Sequence, residues 1–137
     1  MSCKSVLYSA MQTPTAVAVD GVIPLGSLIR RYGCDLSLDG NAVNITGGNQ
    51  SAGYYDVDAS VTVAPAAVGT VTVTLFKDGV AVPGATASAT AAANDALDLN
   101  ITALVRQVCC AAGSALTLVL TGAAASVENV ALRVQRI

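Results

Sequence analysis

Histidine and tryptophan are both absent from this 137-residue sequence, which has one phenylalanine and four tyrosines. Histidine is the side chain that titrates near neutral pH and the commonest metal ligand, so its absence removes the usual general base and the usual catalytic triad. The sequence also contains no glycine-rich phosphate loop and no nucleophile elbow. We therefore expect a protein that is not an enzyme and that needs no cofactor or metal.

Charge is equally scarce. Charged residues make up 12% of the chain, and seven Lys and Arg against nine Asp and Glu leave a net charge of −2. Proteins that hold a phosphate backbone do so with clustered Lys and Arg. The one local basic cluster is Arg30–Arg31, and an isolated pair of this kind is usually a solvated turn. Nucleic acid is therefore not an expected partner.

The sequence lacks a continuous apolar run of helical character. Residues 59–76 and 107–127 are uncharged and long enough to cross a bilayer as a helix. The first stretch is interrupted by Pro65 and Gly69, and the second by Gly113. In both stretches the apolar residues follow a period of two, which is typical of strands. We expect no membrane insertion.

Apolar residues, by contrast, are abundant. Hydrophobic residues make up 53% of the chain, whereas a soluble domain usually carries about a quarter charged residues. A single chain of this composition would leave a large apolar surface exposed to solvent, and such surfaces are usually buried against a partner. We therefore expect part of the surface to be buried against further copies of the same chain.

Alternation of apolar and polar residues predicts an all-β protein. It is clearest from Gly53 to Val63, where Tyr, Val and Ala positions alternate with Asp, Ser and Thr. Ala85 to Ala91 keeps the same period of two with Thr and Ser, so we predict a strand there although alanine favours helices. The Asp78–Gly79 step predicts a tight hairpin.

The whole chain, residues 1–137, is predicted to be one β-sandwich domain of about 8 to 10 antiparallel strands. Residues 1–13 are expected to form an edge strand or an arm. The earlier strands are the least clearly marked, and we place them near Ser5–Ala10, Thr15–Val19, Leu28–Leu38 and Ala42–Thr46.

The order and spacing of these strands resemble the jelly roll of the tumour necrosis factor family and of the globular heads of complement and collagen-like proteins. The segment Gly53-Tyr54-Tyr55-Asp56-Val57-Asp58-Ala59-Ser60-Val61-Thr62-Val63 is similar to the central strand of that fold. Residues 71–79 are similar to the next strand with its hairpin, and residues 130–134 to the closing strand. The resemblance covers residues 14–137. It implies a tumour-necrosis-factor-like jelly roll that forms a homotrimer.

In that family the closing strand lies near the trimer axis. The resemblance therefore implies that Val130, Leu132 and Val134 belong to a core strand that takes part in the trimer contact. Their alternation predicts that these three side chains are buried and that Arg133 is exposed or paired.

The amino-acid composition, rich in Ala, Thr, Val and Gly, resembles that of small capsid-associated or head-fibre proteins of tailed phages and that of bacterial spore-surface heads. An export signal is not recognisable, because Ser5 and Ser9 interrupt any apolar segment near the start. We therefore expect a trimeric virion component, a capsid decoration or head-fibre protein, that is assembled in the bacterial cytoplasm. Two alternatives stay open: a fibre-tip module that binds a receptor or a host surface glycan, and a spore- or cell-surface protein.

Four cysteines, Cys3, Cys34, Cys109 and Cys110, allow three full pairings. Adjacent cysteines on a strand point to opposite faces, so a bridge between Cys109 and Cys110 is not expected. The alternatives are a disulfide from Cys34 to one of these two, or buried reduced thiols.

Asp56 and Asp58 lie two residues apart on one strand face. Such a pair can serve as calcium ligands or as a carboxylate pair, but outward-facing Asp residues on a strand are more often plainly solvated. We predict no metal site here.

Overall fold

A computed structural model describes residues 4–137 of the chain. Within this range the protein is built from eleven strands and contains no helix that is long and apolar enough to cross a membrane. The strands are β1 (Val6–Met11), β2 (Thr15–Val17), β3 (Ser27–Tyr32), β4 (Leu36–Asp39), β5 (Ala42–Ile45), β6 (Gly53–Pro65), β7 (Gly69–Lys77), β8 (Val80–Ala91), β9 (Leu97–Gln107), β10 (Ser114–Thr121) and β11 (Ala125–Arg136).

The strands form two antiparallel sheets. Sheet A has the order β3-β1-β11-β6-β9, with β2 paired to the start of β11, and sheet B has the order β4-β5-β10-β7-β8. Strands that are neighbours in a sheet are mostly far apart in sequence, as in β1 beside β11 and β6 beside β9. This arrangement confirms the predicted all-β jelly-roll sandwich.

The core lies between the sheets and contains the apolar half of each alternating strand. Tyr55, Val57 and Val61 of β6 are fully buried, and so are Val71 and Val73 of β7. The polar residues between them face outward on the two sides of the sandwich. The alternation in the sequence therefore fixed which face of each strand is buried.

The predicted hairpin at Asp78–Gly79 joins β7 to β8. Asp78 and Gly79 both have positive φ angles, 52° and 82°, which a tight turn of the primed kind requires. The strand predicted over Ala85–Ala91 is also confirmed. It forms the second half of β8, an edge strand that begins at Val80 and whose pairing with β7 is irregular between Thr74 and Phe76.

Two predictions about the first part of the chain differ from the structure. The strand expected over Leu28–Leu38 is divided into β3 and β4 at Gly33, whose φ is 91° and where an added Cβ would lie 2.3 Å from the carbonyl oxygen of Lys4. The N-terminal segment was expected to be an edge strand or an arm. Instead β1 lies inside sheet A, between β3 and β11, while residues 1–3 of that segment lie outside the described residues.

Candidate functional site

The outer face of sheet A brings together side chains from four strands. Arg133 of β11 lies beside Asp58 of β6, and Tyr8 of β1 lies on the other side of Arg133. Thr102 of β9 continues the same row beyond Asp58. One row thus crosses β1, β11, β6 and β9.

The next row along the same strands consists of small side chains. It contains Ala10, Ala131, Ser60 and Asn100 in register. The first row and Ala131, Ser60 and Asn100 of the second row line a shallow surface hollow of about 470 Å³. A protruding side chain of another protein surface fits such a depression.

An ion pair lies at the centre of this face. The Arg133 guanidinium donates a hydrogen bond to the Asp58 carboxylate, and both side chains stay partly exposed, at 48% and 39%. An exposed pair contributes little to the stability of one chain. It does leave both charges on this face compensated, which lowers the cost of covering the face with another surface.

Among the described strands, exposed large apolar side chains lie mainly in sheet A. In the described strands, sheet B contributes a single such residue, Val80 at the hairpin end of β8. The exposed large apolar residues of the sheet A strands are Tyr8, Leu28, Ile29, Tyr32, Tyr54 and Leu104.

The outer face of sheet B has a different character. Threonine and serine hydroxyls dominate it, and some pair across strands, as in Thr70 with Thr90 at 2.8 Å and Thr74 with Thr86 at 3.0 Å. Ser88 lies on β8 between Thr86 and Thr90, and it is exposed. This face is rich in hydroxyl groups, and Phe76 and Val119, which share it, are half-buried.

The structure places Val130, Leu132 and Val134 in the core. All three are at most 1% exposed within a single chain, because this side of β11 faces sheet B. The burial expected for them is therefore found, but their side chains are not free to contact another subunit. The side of β11 that faces outward carries Ala131 and Arg133 instead.

A buried polar cluster ties the end of β11 to two loops. Arg136 donates to the carboxylate of Asp35 at 2.7 Å, and Asp35 is 1% exposed. Ser5 and Ser51 also donate to this carboxylate, each at 3.0 Å. Arg136 further donates to the carbonyl oxygen of Gln50 at 2.6 Å. The cluster satisfies every charge that it buries, so its role is structural.

Tyr55 lies under this cluster. Its hydroxyl donates to the carbonyl oxygen of Ser51 at 2.7 Å, and Arg136 lies over its ring at 5.9 Å. Burial raises the pKa of Tyr55, as does the negative charge of Asp35, while the positive charge of Arg136 opposes the shift. The hydroxyl therefore stays protonated and remains a donor at neutral pH.

Cys109 and Cys110 were expected either to bond to Cys34 or to be buried reduced thiols. Neither expectation holds, because both are exposed free thiols in a loop after β9. Cys34 is disulfide-bonded, and its partner is neither of these two. Cys3 lies outside the described residues. Cys34 and the adjacent pair do approach the same turn: Cys34 lines a hollow with Gly48, and the amide of Cys110 donates to the Gly48 carbonyl.

Among residues 4–137 no group of three or more potential metal ligands comes together. Asp58 is paired with Arg133, and Asp56 lies one row away beside Gln135 and Leu104.

Sequence reasoning missed two features of the site. It did not place Tyr8, Ser60 and Asn100 in one hollow, because alternation gives the face of a strand but not the register between distant strands. It also missed the Asp35–Arg136 pair, whose members are 101 residues apart. The available signal was Asp35, a charged residue between Cys34 and Leu36.

No protein-family model matches this chain, and no curated protein sequence matches it. Solved structures do. A structure of murine APRIL superposes with a TM-score of 0.70 at 13% identity, covering 96% of this chain and 98% of that chain. The globular domain of zebrafish complement 1qA protein gives a TM-score of 0.63 at 7% identity, covering 96% and 95%.

The vertex protein P5 of PRD1 is also similar, with a TM-score of 0.59 at 12% identity and coverage of 100% of this chain and 99% of that chain. Identities this low establish shared architecture and not shared activity. The matches extend over almost the full length in each case, in agreement with the sheet order described above. This chain has the jelly-roll fold of the tumour-necrosis-factor-like proteins and complement globular heads.

Proposed function

We propose that this chain is a non-enzymatic structural protein that assembles into a homotrimer through the outer face of sheet A. We further propose that the trimer is a virion component, either a capsid decoration or a head-fibre protein. Its function would then be to assemble and to display a surface, and not to catalyse a reaction.

The contrast between the two outer faces carries the proposal. Sheet A presents a hollow, a compensated ion pair and most of the exposed large apolar side chains of the strands, whereas sheet B presents hydroxyl groups. Apolar surface that is gathered on one side marks an interaction site. The outer face of sheet A is therefore the proposed contact surface. The outer face of sheet B is proposed to remain exposed to solvent.

A second copy of the chain is the favoured occupant. A closed ring needs two different patches on each subunit, so that one patch contacts the other patch of the next copy. The hollow on sheet A is one patch. The other is the edge near the β7–β8 hairpin, where Val80 and Leu104 protrude beside an open groove of about 450 Å³. The tumour-necrosis-factor-like fold supports closure with three copies.

The structural similarity to a vertex protein supports the proposed virion role. The resemblance of the amino-acid composition to that of head-fibre proteins supports it as well. A partner of the trimer would then be another capsid or virion protein. A host surface glycan is a further candidate ligand for the exposed loops.

Matched serine substitutions test the assembly surface. Ser60→Arg places a long charged side chain in the hollow of sheet A, and Ser88→Arg makes the same change on the outer face of sheet B. Ser60 is half-buried and Ser88 is exposed in one chain, and both lie on outer faces away from the core, so both variants should keep the circular dichroism spectrum of the native protein. Light scattering should show dissociation for Ser60→Arg and an unchanged mass for Ser88→Arg. Equal masses for the two variants would contradict the assignment of the face.

Immunogold labelling tests the proposed location. Antibodies raised against the purified protein should label virus particles that are banded on a density gradient from lysed cultures of the source organism. Label on intact cells or spores, with none on particles, would reject the virion role in favour of a surface protein. Glycan-array binding by the trimer would add the receptor-binding role.

A further inference from the structure

We propose that Cys109 and Cys110 form a reversible redox site, in which the two neighbouring thiols are converted to a disulfide by a low-molecular-weight disulfide. The site lies outside the proposed assembly surface and does not depend on it.

The two sulfur atoms are already in contact. The distance from Cys109 Sγ to Cys110 Sγ is 2.7 Å, and both residues are exposed. A strand would direct adjacent side chains to opposite faces, but β9 ends at Gln107 and the two cysteines lie in the turn that follows. Cys110 adopts a left-handed conformation with φ of 66°, so the backbone here does not have the extended form that separates adjacent side chains on a strand.

The loop is held in this shape from two sides. The amide of Cys110 donates to the carbonyl of Gly48 at 3.3 Å, and the amide of Gly48 donates to the carbonyl of Ala111 at 3.0 Å. The buried Gln107 side chain donates to the carbonyl of Ala112 at 3.1 Å and accepts from Ser114 at 2.7 Å. The two thiols are therefore brought together by the fold and not by chance motion.

A disulfide between them would be reversible. Adjacent Cα atoms lie about 3.8 Å apart, whereas disulfide-bonded residues usually have Cα atoms roughly 4.4–6.8 Å apart. A bond made across such a short span is strained, and strained, exposed disulfides are readily reduced. This property distinguishes the site from a structural disulfide, which resists reduction.

The reaction proceeds by two thiol–disulfide exchanges. One cysteine thiolate attacks a sulfur of oxidised glutathione, the glutathione S–S bond breaks, and one glutathione leaves as a mixed disulfide forms on the protein. The second thiolate attacks the protein sulfur of that mixed disulfide and expels the other glutathione. The protein loses two electrons and two protons, and these are recovered as two molecules of reduced glutathione.

The small fraction of Cys109 that is thiolate slows the reaction at neutral pH. The hydrogen bond with the Cys110 sulfur raises the pKa of the Cys109 thiol, and desolvation and the charge of Cys110 add to this shift. The thiolate is the attacking species, so the reaction should accelerate as the pH rises toward that pKa.

The test uses the intact protein in glutathione redox buffers, followed by acid quenching, alkylation and tryptic digestion. Cleavage after Arg106 and Arg133 releases a peptide, residues 107–133, whose only cysteines are Cys109 and Cys110. In oxidising buffer this peptide should lose two hydrogen atoms and carry no glutathione, and excess reduced glutathione should reverse the change. Cys34 is in a different peptide, so its disulfide does not interfere.

Cys109→Ser and Cys110→Ser serve as controls, because neither can complete the second exchange. Each should accumulate one glutathione on the peptide under conditions in which the native protein accumulates none. The proposal is overturned if the native protein retains glutathione adducts as the single variants do, or if its two thiols stay free throughout the redox series. Disulfide-linked dimers through this peptide would also overturn it.

Discussion

Ser5 and Ser9 show how the same side chain has opposite effects at neighbouring places. Both are fully buried, one just before β1 and one within it. Ser5 Oγ donates to the Asp35 carboxylate and accepts from the Asp35 amide at 3.2 Å. Among the described residues, Ser9 Oγ is the buried side-chain atom that has no hydrogen-bond partner. A buried polar atom without a partner costs free energy that a satisfied one does not.

Alanine substitutions at these two positions should therefore shift the free energy of unfolding in opposite directions. Ser5→Ala removes two hydrogen bonds of the Asp35 cluster and should lower stability by about 1–3 kcal/mol. Ser9→Ala removes an unsatisfied hydroxyl and should leave stability unchanged or raise it by about 1 kcal/mol. Urea unfolding at one fixed protein concentration measures both. A loss at Ser9→Ala as large as that at Ser5→Ala would show that Ser9 has a partner.

The Asp35–Arg136 pair marks the limit of what single residues reveal in the sequence. Neither residue lies in a motif, and their contact depends on the path of the chain through eleven strands. The pair forms because β11 returns beside β1 and brings its end to the turn that follows β3. The contact between Asp35 and Arg136 is therefore specified by the topology of the fold and not by the local sequence.

At the scale of the element, β11 illustrates both the strength and the limit of periodicity. Alternation correctly predicts that Val130, Leu132 and Val134 are buried and that Arg133 faces outward. It does not tell whether a buried side chain meets its own chain or another copy, because both environments are apolar. The structure assigns this side to the core within one chain.

Substitutions on the two sides of β11 should accordingly differ in effect. Leu132→Asp puts an unpaired charge between the sheets and should abolish the folded state, as judged by loss of the β-sheet circular dichroism spectrum. Arg133→Ala breaks an exposed ion pair, should cost no more than about 1 kcal/mol of fold stability, and should keep that spectrum. A folded Leu132→Asp protein would show that the strand register is wrong.

Turn chemistry explains which strand boundaries were predictable. The Asp78–Gly79 hairpin was predicted correctly because the dipeptide itself favours the required positive φ angles. The break at Gly33 was missed because it depends on a close approach to Lys4, a contact between separate parts of the chain. Pro83–Gly84 has the sequence of a break and yet lies within β8, since an edge strand with irregular pairing tolerates proline.

For the whole molecule, composition alone indicated that the surface of one chain is too apolar to stay uncovered. In the described strands, the exposed large apolar residues lie in sheet A and at the adjoining hairpin edge, and further ones, such as Val19 and Val68, lie between the strands. The fold class was predictable from strand order and spacing. The composition of each outer face was not, because it requires the register of four strands that are distant in sequence.

The molar mass of the native protein in solution tests the central claim most directly. Size-exclusion chromatography with light scattering at micromolar concentration should return three times the 13.6 kDa of one chain. That mass should change little with moderate salt, because salt screens charged contacts and does not weaken the burial of apolar surface. A mass of one chain at micromolar concentration would contradict the account, since the exposed apolar side chains of sheet A would then have no partner.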